Sequence, residues 1–318
     1  MSSRPRRIAT LIGPTASGKT ELSLSLAQRI DVVLISVDSA MVYRGLDIGT
    51  AKPSLDTRER YPHALIDVRD PEDSFSVQEF CALADEAVHE ALAESKIPLL
   101  VGGSMMYFRA FREGLANLPS ANPRVRAEIR EFAEAEGLEA VHAELARNDP
   151  DSARRISPRN LKRMERAIEV YRITGKPIGE LWKEHAVAPA AERLDCELVE
   201  FAMPEVPRQV LHDRIESRLR SMFKEGLVEE VRTLRQRPNL GSENLSMRTV
   251  GYREIWAHLD EHQERVNEAE VFEKVLFATR RLARKQLTWL RQWVKLNLIE
   301  ATSTELMIDR LEHKATQT

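Results

Sequence analysis

The chain has 318 residues, 42% hydrophobic and 31% charged, with a formal net charge of −3, values typical of a globular protein of about two domains rather than a disordered chain. No apolar run approaches the roughly 20 residues that span a bilayer, and residues 1–7 lack the apolar core of a signal peptide. Cys81 and Cys196 lie far apart without metal-ligand spacing, which excludes a disulfide framework and a zinc finger, so we expect a cytoplasmic protein with no membrane contact.

Short apolar strands alternate with helices in the first third of the chain. The hydrophobic pattern predicts strands at 8–12, 32–37 and 97–101 and helices at 21–30 and 79–95. This alternation predicts right-handed βαβ units and a parallel sheet covered on both faces. Ligands of such sheets bind beyond the carboxyl ends of the strands, and residues 13–20, 38–39 and 102–104 follow those ends here.

The pattern changes at about residue 121. Residues 124–184 show helical periodicity only, interrupted by three proline-containing turns. A strand is then predicted at 197–203, helices at 207–223, 227–236 and 269–289, a last strand at 294–299 and a frayed tail at 313–318. We therefore predict an α/β core, a parallel sheet flanked by helices, from residues 1–120 and 190–318, with an all-helical insertion domain at 121–189.

A phosphate-loop pattern, G-x-x-x-x-G-K-T, lies between the first predicted strand and helix. Its glycines let successive backbone N–H groups turn toward phosphate oxygens, while Lys19 contacts the terminal phosphate and the Thr20 hydroxyl ligates Mg²⁺. With its strand and helix, the pattern predicts that the α/β core is of the P-loop NTPase type. It does not say which molecule carries the phosphates, nor that ATP is hydrolysed. The predicted diphosphate-binding residues are Gly13, Pro14, Thr15, Ala16, Ser17, Gly18, Lys19 and Thr20.

Asp38 ends the second predicted strand and is expected beside the phosphate loop. A carboxylate there serves as a base toward an incoming nucleophile or holds Mg²⁺ through water. The alternative is an aspartate that caps the following turn. Ser39 and the glycine-containing stretch 45–53 are predicted to form a functional loop over the same edge.

The charges of the chain are segregated. Residues 154–172 carry a net charge of +5 and residues 280–295 carry +6, which leaves −14 for the remainder. A near-neutral total normally argues against a nucleic-acid partner, but this segregation predicts a polyanion-binding surface. Two solvated helix faces are the alternative, and the charges alone do not separate the two.

Seven motifs in a fixed order resemble the tRNA dimethylallyltransferase, or isopentenyl-tRNA transferase, family. They lie at residues 13–20, 36–43, 47–53, 100–107, 118–119, 248–253 and 285–291, and so span nearly the whole chain. The phosphate loop alone is generic, but the ordered series is specific. Some relatives add a Cys/His zinc module after the last basic helix, and its absence here is typical of the compact bacterial form.

The resemblance implies a reaction and a cofactor. The family's phosphate loop holds dimethylallyl diphosphate with Mg²⁺, and the prenyl group passes to N6 of the adenosine directly 3′ of the anticodon (position 37) in tRNAs that read codons beginning with U. The products are N6-isopentenyladenosine and diphosphate. By the same resemblance Asp38 is the catalytic base, Ser104 stands where relatives more often have Thr and positions the reacting groups, and Arg218 contacts the diphosphate. A surface charge beside Glu216 is the alternative for Arg218.

The resemblance also assigns residues to the tRNA anticodon stem-loop, whose target base must be flipped out to react. The family more often has Gln where Lys162 stands. For Trp293, one helical turn beyond Trp289, a buried helix face is the favoured alternative. The implied tRNA-binding residues are Asp38, Ser39, Ala40, Met41, Ser104, Arg126, Lys162, Arg163, Met164, Glu165, Arg166, Arg248, Thr249, Val250, Gly251, Tyr252, Arg253, Arg284, Lys285, Gln286, Leu287, Thr288, Trp289, Leu290 and Arg291.

Three other functions are alternatives to this one. An adenylate isopentenyltransferase uses the same loop and base on a free nucleotide, but it does not need a basic helical insertion. A P-loop small-molecule kinase leaves the ordered motifs unexplained, and a non-catalytic RNA-binding protein leaves Lys19, Thr20 and Asp38 unexplained. No apolar stripe remains for a partner subunit, so we expect a monomer.

Overall fold

A computed structural model describes residues 6–116, 118–293 and 298–312 and divides the chain into two compact units. The first unit comprises Met1–Arg112 and Ala190–Thr318, and the second is Glu113–Pro189. The helical unit begins at Glu113 rather than at residue 121 because the connecting stretch packs with it. Leu118 contacts its apolar core, and the Pro119 carbonyl accepts a hydrogen bond from Arg166 (2.9 Å).

A parallel sheet of six strands forms the centre of the first unit, which confirms the predicted α/β class. The strands lie in the order β3-β2-β4-β1-β5-β6, and every neighbouring pair is parallel. Of the strand predicted at 294–299, residues 294–297 lie outside the described residues, and β6 follows them; the tail at 313–318 also lies outside. The strands are Arg7–Ile12 (β1), Val32–Val37 (β2), His63–Ala64 (β3), Ile97–Gly102 (β4), Glu197–Ala202 (β5) and Ile299–Glu300 (β6).

Helices flank this sheet and build the second unit. In the first unit, alternate residues of β1 belong to two apolar cores, with Ile8 and Ile12 in one and Ala9 and Leu11 in the other, so both sheet faces are covered. None of the described helices is long and apolar enough to cross a membrane. The helices are Lys19–Ala27 (α1), Leu55–Arg60 (α2), Val77–Ala93 (α3), Met105–Glu113 (α4), Pro123–Glu136 (α5), Leu138–Asn148 (α6), Pro150–Arg155 (α7), Leu161–Thr174 (α8), Ile178–Glu184 (α9), Ala190–Arg193 (α10), Arg208–Lys224 (α11), Leu227–Arg235 (α12), Tyr252–Glu261 (α13), Glu268–Trp293 (α14) and Thr304–Glu312 (α15).

All regular elements among the described residues of the second unit are helices. Local sequence sets the helix ends: Asn122 caps α5 with Pro123 in its first turn, Asp149 caps α7, and Gly175 ends α8 in the left-handed conformation (φ 72°). Its apolar core is separate from the two cores of the first unit. Such a unit has its own basis for folding.

Candidate active site

Three strand ends meet at the carboxyl edge of the sheet, as the sequence predicts. Ile12 of β1 and Val37 of β2 both pair with Gly102 of β4. A Cβ atom on Gly102 would lie 2.0 Å from the Val37 carbonyl oxygen, so only glycine fits this close approach. The Gly13 N–H donates to the Gly102 carbonyl (3.3 Å), and the Ser104 N–H donates to the Val37 carbonyl (3.2 Å). The phosphate loop, Asp38 and Ser104 are thereby brought side by side.

A cavity of about 580 Å³ opens at this edge, within the usual range of small-molecule sites. Its polar lining includes Lys19, Thr20, Asp38, Ser104 and Arg218, which are the predicted catalytic and phosphate-binding side chains. The predicted Ser39, Ala40, Met41, Thr249, Val250 and Gly251 also line it, as do Arg248, Lys285, Gln286 and Trp289.

An apolar wall completes the cavity, and its residues were not predicted from the sequence. The cavity is lined there by Ile215, Leu219 and Met222 of α11 and by Val275 and Leu282 of α14, two helices that pack against each other. The available signal was the three- and four-residue spacing of these apolar residues, which marks one face of each helix. That spacing does not tell a packed face from one that lines a cavity.

The phosphate loop turns through two left-handed residues, Ala16 (φ 59°) and Gly18 (φ 94°), before α1 begins at Lys19. Such backbone turns converge successive N–H groups on an anion. Lys19 Nζ donates to the Pro14 carbonyl (2.6 Å). Burial, together with the nearby Arg218 guanidinium, lowers the pKa of Lys19 to about 7 against the opposing effect of the Asp38 carboxylate. The Lys19 ammonium therefore loses its proton near neutral pH when no anion is bound.

Asp38 makes the turn-capping contacts predicted as the alternative for it, and its role as a base stays a prediction. Its Oδ1 accepts the backbone N–H groups of Ala40 (2.8 Å) and Met41 (3.4 Å), so it caps the turn after β2. Its Oδ2 has no hydrogen-bond partner among the described residues, and the side chain lines the cavity. Ser104 Oγ accepts the Ser39 N–H (3.0 Å) and fixes the next residue of the same turn. One carboxylate oxygen is thus held in place while the other remains available to a substrate.

Arg218 is a cavity residue and not a surface charge beside Glu216. Its Nη2 donates to the Thr50 carbonyl (3.3 Å), and burial lowers its pKa while Asp38 opposes that shift. Glu216 instead pairs with Arg220 (2.6 Å) and Arg280 (3.0 Å). Two of the cations that line the cavity, Lys19 and Arg218, therefore interact electrostatically with the Asp38 carboxylate.

Several residues that the resemblance assigned to tRNA have buried side chains, which makes them wrong as RNA-contacting groups. Tyr252 is 0% exposed, Met164 is 0% exposed in the core of the second unit, and Leu290 is 5% exposed. Glu165 is 6% exposed and accepts two hydrogen bonds from Arg130 (2.8 and 3.3 Å). A motif seen in sequence does not distinguish a side chain that packs beneath a surface from one that forms it.

The predicted cations of the second unit divide into two kinds. Arg126 and Arg166 both bind Glu169, which is 0% exposed, at distances of 2.7 to 3.0 Å. They hold the helices together because a buried carboxylate must be paired. Lys162 and Arg163 are exposed and have no acidic partner among the described residues. These two remain the available anion-binding groups of that helix.

The basic residues of the first unit divide in the same way. Arg248, Arg253 and Arg291 form ion pairs with Glu243, Glu254 and Glu205. Arg284 and Lys285 are exposed without an acidic partner in the described part of the chain, and Thr288 is also exposed, donating to the Arg284 carbonyl (2.9 Å). Trp293 is 5% exposed, in agreement with the buried-face alternative, and Leu287 packs against the same core.

Gln286 forms two hydrogen bonds within the protein that the resemblance did not predict. Its Oε1 accepts the Thr15 N–H (2.9 Å), and its Nε2 donates to the Gly103 carbonyl (3.0 Å). A Cβ atom on Gly103 would lie 2.5 Å from that Nε2, so the glycine admits the amide. Gln286 thereby joins the phosphate loop to the turn that carries Ser104.

One other cluster has side chains of metal-ligating types, His258, His262 and Glu270. His258 is 1% exposed, burial lowers its pKa, and its Nδ1 has no hydrogen-bond partner. Its Nε2 accepts the Asn267 N–H (3.2 Å), which places the proton of the neutral ring on Nδ1 and leaves no lone pair there for a metal. Lys274 Nζ already lies 2.7 Å from the Glu270 carboxylate. We assign the cluster to packing between α13 and α14.

The parallel sheet, the phosphate loop and the cavity at the carboxyl edge of the sheet define an α/β protein of the P-loop type. The sequence profile of the family described as IPP transferase matches residues 41–293. The chain is 44% identical over 306 residues to tRNA dimethylallyltransferase 2 of Hahella chejuensis, which covers 93% of this chain and 91% of that relative. The chain belongs to the IPP transferase family.

Solved structures agree with this assignment. The tRNA isopentenylpyrophosphate transferase of Bacillus halodurans is 35% identical with a TM-score of 0.60, over 91% of this chain and 87% of that one. The corresponding enzyme of Staphylococcus epidermidis is 30% identical with a TM-score of 0.62, over 96% and 97%. A eukaryotic dimethylallyltransferase acting on tRNA shares the fold, with a TM-score of 0.76 at 22% identity over 96% and 76%.

Proposed function

We propose that this chain transfers the dimethylallyl group of dimethylallyl diphosphate to N6 of the adenosine directly 3′ of the anticodon in tRNA. The observation that carries the proposal is one cavity in which a phosphate loop, two cations and a carboxylate with one available oxygen stand against an apolar wall. An allylic diphosphate has the same two halves, an anion and a short hydrocarbon. The chain is a prenyltransferase of tRNA, as its family membership indicates.

The polar half of the cavity is suited to the departing diphosphate. As the bond between the prenyl C1 and the diphosphate oxygen breaks, negative charge grows on that oxygen. The loop N–H groups after Ala16, the Lys19 ammonium and the Arg218 guanidinium are fixed donors that stabilise this charge. Because these donors are already oriented by the fold, little reorganisation is needed when the charge develops.

Asp38 takes the proton that the attacking nitrogen loses. A bond forms from the exocyclic nitrogen to the prenyl C1, and the nitrogen must then lose a proton. Oδ2 of Asp38 is the available acceptor, since Oδ1 is held by two backbone N–H groups. Ser104 accepts a hydrogen bond from the Ser39 N–H and so stabilises the turn that carries the Asp38 carboxylate. Adenosine and dimethylallyl diphosphate are thus converted to N6-isopentenyladenosine, diphosphate and one proton.

Mg²⁺ is proposed to bind beside Thr20. The Thr20 hydroxyl has no hydrogen-bond partner among the described residues, lines the cavity and lies next to Lys19 in sequence. An oxygen donor of this kind, with water and diphosphate oxygens, fits a hard cation that keeps much of its hydration shell. When bound, Mg²⁺ supplies charge neutralisation to the diphosphate.

The tRNA is proposed to use the exposed cations that have no acidic partner among the described residues, Lys162 and Arg163 in the second unit and Arg284 and Lys285 in the first. Such side chains contribute to affinity by releasing counterions from RNA phosphates. We further propose that the protein acts as a monomer.

The test compares acceptors and one pair of variants. Labelled dimethylallyl diphosphate and Mg²⁺ are incubated with a tRNA transcript carrying adenosine 3′ of the anticodon, the same transcript with guanosine there, or AMP. Asp38→Asn should lower transfer by about 10² to 10⁴, because an amide does not accept the proton, while tRNA binding persists. The matched control is Asp31→Asn, an exposed residue before the other end of β2. Label on AMP, or consumption of the ATP γ-phosphate, would overturn the proposal.

A further inference from the structure

Glu230 of α12 is surrounded by four hydrogen-bond donors. Its Oε2 accepts the N–H groups of Asp47 (3.1 Å) and Ile48 (2.7 Å), and its Oε1 accepts the Gly49 N–H (3.1 Å) and the Tyr252 hydroxyl (2.5 Å). A carboxylate offers about four lone-pair sites, so this one is fully used. No sequence motif pointed to Glu230, and the reaction described above does not employ it.

The three backbone groups that Glu230 binds belong to a loop, residues 47–53, that packs closely against its surroundings. A Cβ atom on Gly49 would lie 2.6 Å from the Tyr252 ring, so the backbone passes directly over that buried side chain. The Thr50 hydroxyl turns back to the carbonyls of Leu46 (2.7 Å) and Asp47 (3.1 Å). Lys52, whose side chain is 2% exposed, binds the carboxylates of Asp47 and Asp67. The loop is thus held in one conformation along its length.

This loop ends in contact with the active site. The Thr50 carbonyl accepts the hydrogen bond from Arg218 Nη2 (3.3 Å), and both Gly49 and Thr50 line the cavity. Hydrogen bonds and the loop backbone therefore connect Tyr252 through Glu230 to the Arg218 guanidinium. In the described residues, Arg218 has no acidic hydrogen-bond partner, so this carbonyl is what orients it.

We propose that Glu230 is a positioning residue for prenyl transfer: by fixing residues 47–49 it sets the Thr50 carbonyl, which aims the Arg218 guanidinium at the diphosphate. The inference rests on the proposed function, since it assigns Glu230 a part in the same reaction. It also gives Tyr252 a role, as the donor that completes the Glu230 shell, in place of the RNA contact first expected. Small displacements of such a group matter because catalysis depends on orientation.

The experiment compares Glu230→Gln with Glu229→Gln in the full chain. The amide keeps the shape of Glu230 but presents an NH₂ group to donors, so about half of the hydrogen bonds are lost. The control residue is its neighbour on α12, is exposed and pairs with Arg232. We expect Glu230→Gln to lower kcat/KM for dimethylallyl diphosphate by on the order of 10²-fold, with tRNA Kd unchanged, and Glu229→Gln to match wild type.

A double variant separates positioning from general destabilisation. If Glu230 acts through Arg218, adding Glu230→Gln to Arg218→Ala should cost little more in single-turnover transfer than Arg218→Ala alone. Tyr252→Phe, which keeps the ring and removes one donor, should show a smaller loss of the same kind even if Glu230→Gln folds poorly.

The outcomes distinguish the inference from the proposed function. Multiplied losses in the double variant, a parallel loss of tRNA affinity, or wild-type kinetics in Glu230→Gln and Tyr252→Phe would each overturn the positioning role. A wild-type chain that transfers no label to tRNA would instead overturn the proposed function on its own.

Discussion

Lys19 stands in a cavity with a second cation and a carboxylate, and its pKa of about 7 makes it sensitive to what binds there. A diphosphate raises that pKa, so binding near neutral pH should take up a proton. Below pH 7 the lysine is already charged and uptake is small; uptake grows as the pH rises through 7 toward 8. Arginine stays protonated throughout, so Lys19→Arg should lack this part of the uptake.

The measurement is calorimetry of dimethylallyl diphosphate binding in buffers of different ionisation enthalpy. Protonation of the ligand itself is common to both proteins and cancels in the difference between wild type and Lys19→Arg. Equal proton numbers for the two proteins at pH 7.5 would contradict the pKa assigned to Lys19.

Gln286 provides a second residue-scale prediction. Its amide accepts the Thr15 N–H and donates to the Gly103 carbonyl, two groups that follow different strands. Gln286→Ala leaves both backbone groups without this partner. We expect dimethylallyl diphosphate affinity to fall about tenfold, the size expected from a net loss near 1.4 kcal/mol, with little change in tRNA affinity. The control is Gln292→Ala, the same residue type at an exposed position on the same helix. Weaker tRNA binding with unchanged diphosphate binding would instead support the RNA contact.

Local motifs and long-range contacts differ in how well sequence predicts them. The phosphate loop and Asp38 were predictable because their geometry is set by adjacent strands and turns. Gln286 and Glu230 were not, since their partners lie 271 and about 180 residues away and no periodicity encodes such pairs. Tyr252 was misassigned because an aromatic beside arginines suits both stacking on RNA and packing in a core.

At the scale of elements, helix α8 carries two kinds of cation on one helix. Lys162 and Arg163 are exposed near its start, while Arg166 turns inward to Glu169. Replacing both exposed cations with alanine should weaken tRNA binding and reduce the slope of log Kd against log salt by about 1.5, as expected for two lost phosphate contacts. Filter binding from low to moderate salt measures this slope, and an unchanged slope would remove both side chains from the RNA surface.

Arg126→Ala is the contrasting change in the same unit. It removes two of the hydrogen bonds to Glu169, a carboxylate with 0% exposure that then depends on Arg166 and the Asn122 N–H. We expect a loss of about 1 to 3 kcal/mol in the free energy of unfolding of this unit, with the salt slope of tRNA binding retained. Denaturant unfolding and the same binding assay check both halves. A reduced salt slope with unchanged stability would return Arg126 to the RNA surface.

At the scale of the whole molecule, the segregated charge is partly internal. Arg172 binds Glu144 within the second unit, and Arg280 and Arg291 bind Glu216 and Glu205 within the first. The excess of +11 read from sequence therefore overstates the surface available to RNA, because acids distant in sequence neutralise part of it. The polyanion-binding surface therefore stays a prediction for the exposed cations alone.

The division into two units leads to a final prediction. Every residue that lines the cavity belongs to the first unit, and the two units have separate apolar cores. Where the chain leaves and re-enters the first unit it is held together: Arg193 donates to the Phe111 carbonyl (2.7 Å) and binds Asp85 through two hydrogen bonds. Residues 114–189 should therefore be replaceable by a short glycine-serine linker, since the ends to be joined are fixed by contacts that the linker leaves intact.

The shortened chain should unfold cooperatively and bind dimethylallyl diphosphate as the full chain does, because the phosphate loop, Lys19 and Arg218 are untouched. It should lose tRNA prenylation, since Lys162 and Arg163 are removed together with the rest of the helical unit. Thermal unfolding by circular dichroism, calorimetric binding and label transfer measure the three properties, and the full-length Lys162→Ala/Arg163→Ala variant is the control for charge loss alone. If the shortened chain binds no diphosphate while remaining folded, the cavity depends on the helical unit in a way that its lining residues do not reveal.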